Sequence, residues 1–326
     1  MKYETRIGCR IEVGFFSCCI LLPFLLIQLR EVPNNDPFYY KLTQSADHFV
    51  AGDSRAFRGV APSVIKSALG LEGSFLNLAF TGVHSPYGQY YNRFLKRKLA
   101  GDNSKSLFIL VVSPSSLMDF ESAEVPRESD FRAYDLFFVN MNPNLEYLLR
   151  NVNMSEPLLK ILLLGGKGRG EVSKTKEDGW GIRIDPPKLR TPEEIGPTFK
   201  KRAERYTRVP SPERKAQFEL LVRELQEKGN VVIVRMPLPN QVWKHEQIST
   251  PFLDAFLEEI AEEVNVNYLN YAPLGDDYTY HDGLHHLDKK SAVRFSKKNW
   301  LLTLKPWAYH INHVILCFHA SAPGIP

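Results

Sequence analysis

Phe49-Val-Ala-Gly-Asp-Ser-Arg55 runs from an apolar segment, through a glycine, into sequence of helical character. The pattern predicts a strand over 48–52 and a helix over 54–69, which puts Ser54 just after a strand and at the start of a helix. A hydroxyl in that position lies among backbone N–H groups that have no partner within the helix, and such groups can stabilise an oxyanion. Any strand-to-helix turn can carry Gly-Asp-Ser as a helix cap, so the tripeptide alone leaves a structural reading open.

Short apolar runs and longer amphipathic stretches go on alternating down the chain. Strands are expected over 75–80, 107–112, 231–236 and 266–271, and helices over 87–99, 212–228, 251–264 and 289–300. Strands that alternate with helices predict an α/β fold, a flavodoxin-like doubly wound parallel sheet with crossover helices. The rhythm breaks between about residues 120 and 206, too long for an ordinary loop, and this stretch reads as an insertion over the site. Within it, 145–164 suggests a pair of helices. Gly165-Gly-Lys-Gly-Arg-Gly170 reads as a flexible turn, because it lacks the spacing and the following Ser or Thr of a phosphate loop. Asp178-Gly-Trp-Gly181 is either a substrate-facing lid or a tight surface turn, with the lid preferred.

The 326 residues are 44% hydrophobic and 24% charged, a composition that predicts a folded chain with a real core and excludes a disordered one. The net charge of +4 comes from Lys and Arg spread along the chain, without the clustered basic and aromatic residues of a nucleic-acid binder, so nucleic acid is not an expected partner. Cys9, Cys18, Cys19 and Cys317 flank the body of the chain and form neither a disulfide framework nor a ligand cluster. His310, His313 and His319 lie in an irregular tail over 301–326, with uneven spacing and no acidic partner. No metal or cofactor is expected.

Residues 13–29 (VGFFSCCILLPFLLIQL) are almost continuously apolar, preceded by Lys2, Arg6 and Arg10 and followed by Arg30. That length suits a short membrane span or a long signal-peptide core. The Arg-Glu-Val-Pro-Asn-Asn that follows Leu29 offers no small-x-small cleavage site, which favours an uncleaved signal anchor. Positive charge ahead of the apolar run places the first residues in the cytoplasm and the remainder outside it. The expected plan is a cytoplasmic tip and anchor over 1–30, a spacer over 31–45, the α/β domain over 46–300 and the tail.

Tyr280-His-Asp-Gly-Leu-His-His-Leu-Asp288 follows the last expected strand and precedes the last expected helix. In an open parallel sheet this loop and Ser54 both emerge at the carboxyl ends of strands, where sites form. An Asp near a His in one loop can hold the imidazole in one tautomer and leave its other nitrogen to take a serine proton.

At these two segments the chain resembles the SGNH (GDSL-like) hydrolase superfamily, whose first block is Gly-Asp-Ser and whose last is Asp-x-x-His. The likeness covers about residues 46–300 in order and spacing, with the first and last blocks as its specific parts. It implies Ser54 as nucleophile, Asp282 as orienting carboxylate and His285 as base. The family's usual continuation after the His is better matched by His286-Leu-Asp, which makes His286 the alternate base; the short direct loop from Asp282 favours His285. The resemblance also implies an oxyanion hole made by the backbone N–H of Ser54 and that of Gly82, in Asn77-Leu-Ala-Phe-Thr-Gly82. The family's third block, Gly-x-Asn-Asp, is replaced here by Val112-Ser-Pro-Ser-Ser-Leu117. No Asn is there to donate, and Ser113, Ser115 and Ser116 are the candidates to replace it. In this departure the chain is similar to envelope branches of the superfamily that modify cell-surface polymers, including alginate-acetylation and teichoic-acid D-alanylation proteins.

The expected function is an extracytoplasmic serine esterase or O-acyltransferase. It would act on an acyl ester of a cell-envelope glycan or lipid through an acyl-Ser54 intermediate, with the membrane and an envelope-polysaccharide machinery as partners. A non-catalytic polymer-binding accessory protein of the same fold is the alternative. In a third reading Gly-Asp-Ser is a helix cap and His281, His285 and His286 are surface residues of an unrelated anchored protein.

Overall fold

The computed structural model describes residues 26, 29, 32, 36–101, 105–122, 128–150, 173–188, 190–204 and 207–298. The expected anchor over 13–29, apart from Leu26 and Leu29, lies outside these residues, as do the Gly165–Gly170 run, the tail and all four cysteines. Among the described residues no helix is long and apolar enough to cross a membrane.

Five parallel strands form the central sheet: β1 (His48–Ala51), β2 (Phe75–Asn77), β3 (Ser106–Val111), β4 (Gly229–Arg235) and β5 (Asn267–Asn270). Their order is β2-β1-β3-β4-β5, compatible with a doubly wound α/β fold. Side chains alternate across the sheet, so Phe49, Phe108, Leu110 and Ile233 enter one apolar cluster while Val50, Ile109, Val111 and Val232 enter the other. Helices Gln89–Lys98, Pro212–Gln226 and Leu253–Val264 cover the first face. Ser54–Gly59, Pro62–Leu69 and a helix over 289–298 cover the second. Burial on both faces explains why β3 is apolar at every position after Ser106.

The single helix expected over 54–69 is in fact two. Pro62 opens the second helix and holds Ala61 in an extended conformation (φ −102°, ψ 100°). The Asn77 side-chain amide donates to the carbonyls of Ala56 and Val60 (both 2.9 Å), satisfying acceptors at the end of the first. Sequence reading also missed a helix over Asn240–Ser249, which buries only Val242 and Glu246 and so lacks a broad apolar stripe.

The long insertion is closed at its base by an antiparallel ladder between Met118–Phe120 and Arg208–Pro210. Further along, Ser173–Thr175 pairs with Gly181–Arg183, and the connection over 176–180 is closed by the Gly179 N–H to Lys176 carbonyl bond (2.8 Å). This segment is not the expected lid. Trp180 is 2% exposed within the second apolar cluster and its indole N–H donates to the Arg58 carbonyl (2.9 Å). Gly179 (φ +80°) approaches the Asn77 carbonyl so closely that a Cβ there would stand 2.3 Å from it. The turn is an anchor that docks the insertion under the Ser54 helix. Of the expected helix pair, Leu145–Arg150 is described and the remainder lies outside the described residues.

Candidate active site

Gly52 follows β1 with φ +137°, and a Cβ at this position would lie 2.7 Å from the Val111 carbonyl oxygen. Only glycine takes that conformation at so close an approach. The Gly52 N–H donates to the Tyr91 hydroxyl (3.0 Å) and its carbonyl accepts from the Ser85 hydroxyl (2.7 Å), so the turn is held from the first face of the sheet. Asp53 then caps the helix by accepting the Arg55 N–H (2.9 Å), and Ser54 is the first helical residue. No hydrogen bond from the Ser54 N–H is formed among the described residues.

The loop after β5 brings its side chains to the same point. His286 Nδ1 donates to Asp282 Oδ2 (2.8 Å), which leaves His286 Nε2 to accept from the Ser54 hydroxyl (2.9 Å). The sequence favoured His285 for this position with His286 as the alternate, and the geometry brings the alternate, His286, to Ser54. Gly283 takes φ +65° and Asp282 Oδ1 accepts the N–H groups of Leu284, His285 and His286 (3.0, 3.0 and 3.1 Å). The loop therefore winds around the carboxylate like a turn of helix, and the ring four residues on faces both Asp282 and Ser54. His285 is turned aside, its Nδ1 3.9 Å from Asp282 Oδ2 and its ring packed edge-on to Phe199. Burial alone would raise the Asp282 pKa, but the two histidines and the backbone N–H groups outweigh it and hold the carboxyl well below the usual range.

The serines after β3 do not supply the expected oxyanion donor. The hydroxyls of Ser113 and Ser115 both donate to Asp53 Oδ2 (2.5 and 2.6 Å), and the Ser116 hydroxyl accepts the Ser113 N–H (3.2 Å). Burial pushes Asp53 up, but the Arg55 guanidinium and these hydroxyls hold it below its ordinary value, so it is a charged carboxylate that needs those donors. Gly82 does reach the site, close to the Ser115 side chain. Beside it stands a group that sequence reading missed. Arg208 Nη2 is 3.5 Å from where a Gly82 Cβ would be, and the guanidinium carbon lies 4.3 Å from the centroid of the Phe120 ring. Arg208 Nη1 is buried with no hydrogen-bond partner among the described residues. Burial pushes its pKa down to about 10, against the pull of Asp53, and the group stays charged at neutral pH.

Arg55, next to the serine in sequence, lines the cavity but makes no hydrogen bond to the serine, histidine or Asp282 among the described residues. It pairs with Glu246, which also binds Arg235 (2.8 Å), and Arg235 reaches Asp254 (2.5 Å). This buried chain of charges ties the Ser54 helix to helix Asn240–Ser249. Ser54, Gly82, Arg208, Asp282 and His286, with Asp53, Arg55 and Glu246, border a cavity of about 950 Å³. The insertion contributes Arg183, Lys188 and Phe199 to its wall.

Asp282, His285 and His286 are also the one group among the described residues whose ligand atoms lie close enough together, within 4.8 Å, to hold a metal ion. Using them so would draw His286 away from Ser54. No protein-family model matches the chain, and a search of curated proteins finds no relative.

Proposed function

We propose that the chain is a serine esterase or O-acyltransferase of the SGNH type that works through an acyl-Ser54 intermediate. The observation that carries this reading is the continuous relay from Asp282 through His286 to the Ser54 hydroxyl. In the first half-reaction Ser54 Oγ attacks the ester carbonyl and its proton passes to His286 Nε2, while Asp282 keeps the ring oriented and balances its charge. The backbone N–H groups of Ser54 and Gly82 receive the oxyanion. The Arg208 guanidinium beside Gly82 takes over from the missing Asn, whose loss would otherwise cost about 2.7–4 kcal/mol of transition-state stabilisation. The alcohol leaves with the proton from His286, and water or a second hydroxyl resolves the acyl-enzyme by the reverse path.

The strand order and the flavodoxin-like topology fit this superfamily. The apolar residues 13–29 with their basic flank support an uncleaved anchor, and with it an extracytoplasmic domain that acts on an acyl ester of an envelope glycan or lipid. A complete relay favours an enzyme over a non-catalytic binding protein of the same fold. Turnover of a small activated ester tests the reading: Ser54→Ala should abolish it with unchanged circular dichroism, since Asp53 and not Ser54 caps the helix. Equal activity in the variant would end the proposal.

A further inference from the structure

Arg58 stands one helical turn after Ser54 and lines the same cavity. Its Nη1 is buried without a hydrogen-bond partner among the described residues, although the side chain as a whole is only half-buried. The nearby carboxylates are already engaged. Asp185 is bound by both arms of Arg183 (2.8 and 2.7 Å) and by His281 Nε2 (3.1 Å), and Asp282 belongs to the serine relay. Lys188 lines the same wall, and its segment is joined to the histidine loop by the Lys188 N–H to His281 carbonyl bond (2.7 Å). Arg58, Arg183 and Lys188 thus line one cavity, and Asp185, the carboxylate outside the relay that acts on Arg58, is already held by Arg183. Burial and the neighbouring Arg183 both disfavour the charge on Arg58.

A guanidinium brought out of water beside another cation, with donors unused, is a receptor for a planar or tetrahedral oxyanion. We infer that the ester taken by this site carries its own negative charge, a carboxylate or a phosphate, bound by Arg58 with Lys188 beside it while Ser54 attacks the ester carbonyl. This rests on the Ser54 reading for the reaction, but anion binding itself does not need the serine.

Inorganic phosphate and succinate, each titrated calorimetrically into the full chain, provide the test. At least one should bind, and Arg58→Gln should weaken it tenfold or more, with a several-fold loss in the exposed Lys188→Gln in case the first variant folds poorly; which anion binds identifies the source. Binding of neither anion, or equal binding in both variants and the parent, would overturn the inference. A kinetic arm compares mono-4-nitrophenyl succinate with 4-nitrophenyl acetate. The charged ester should be preferred tenfold or more in kcat/KM, and the ratio should fall toward one in Arg58→Gln; a ratio at or below one in the parent counts against the inference. Anion binding that persists while Ser54→Ala leaves ester turnover untouched would show that the serine reading, and not the anion site, had failed.

Discussion

His286 Nε2 lies 2.9 Å from Ser54 Oγ, while the adjacent ring of His285 turns its Nδ1 to 3.9 Å from Asp282 and packs against Phe199. The two neighbouring rings are therefore placed differently, one against the serine and the other in the cavity wall, and in the proposed mechanism only the first accepts the proton.

The first prediction follows from that division. His286→Ala should lower the acylation rate with a small activated ester by about 10²–10⁴-fold, the usual contribution of a general base. His285→Ala should change chiefly KM. Pre-steady-state release of the leaving group measures both, and the opposite ranking would mean that the ring in contact with Ser54 is not the base.

The Arg55–Glu246–Arg235 chain is structural, and its failure should appear as instability. Both guanidiniums are buried, so Glu246→Gln leaves Arg55 without its carboxylate and Arg235 with Asp254 alone. Breaking a buried pair from one side costs about 3–5 kcal/mol. Urea unfolding should show a loss of that order, and a change under about 1 kcal/mol would mean that water or another carboxylate fills the gap.

A pH effect is built into β1. The Leu107 N–H donates to His48 Nδ1 (2.9 Å) and His48 Nε2 donates to the Glu72 carbonyl (2.8 Å), an arrangement open only to the neutral ring. Burial lowers the His48 pKa. The unfolded chain then takes up its proton first as pH falls, so the stabilisation is complete above about pH 6.5 and is lost as pH drops toward the lower folded value. His84 and His281 are shifted the same way, so the informative quantity is the difference from His48→Gln. That difference in unfolding free energy should shrink between pH 7.5 and 5; a constant difference would show that His48 does not titrate in this window.

What could be read from sequence here was local. Gly52-Asp53-Ser54 announced its strand, turn and helix because each step is made by adjacent residues, and the apolar runs marked all five strands within one to three residues at either end. The break at Pro62 was equally local, but the amphipathic period running through it hid the signal. His285 was favoured over its alternate His286 because counting residues from Asp282 says nothing of how a loop winds, and here Gly283 and three N–H bonds to one oxygen decide which ring meets Ser54. Glu246 meets Arg55 across 191 positions, and Arg208 reaches Gly82 only because the base of the insertion is zipped by the short antiparallel ladder. No spacing in the chain encodes such contacts.

The most direct test of the central claim is covalent. A fluorophosphonate should react with the protein, and peptide mass spectrometry should find the adduct on Ser54. The label should be lost in Ser54→Ala, strongly slowed in His286→Ala and retained in His285→Ala. A protein that takes no label, or one that is labelled equally after Ser54→Ala, would contradict the account.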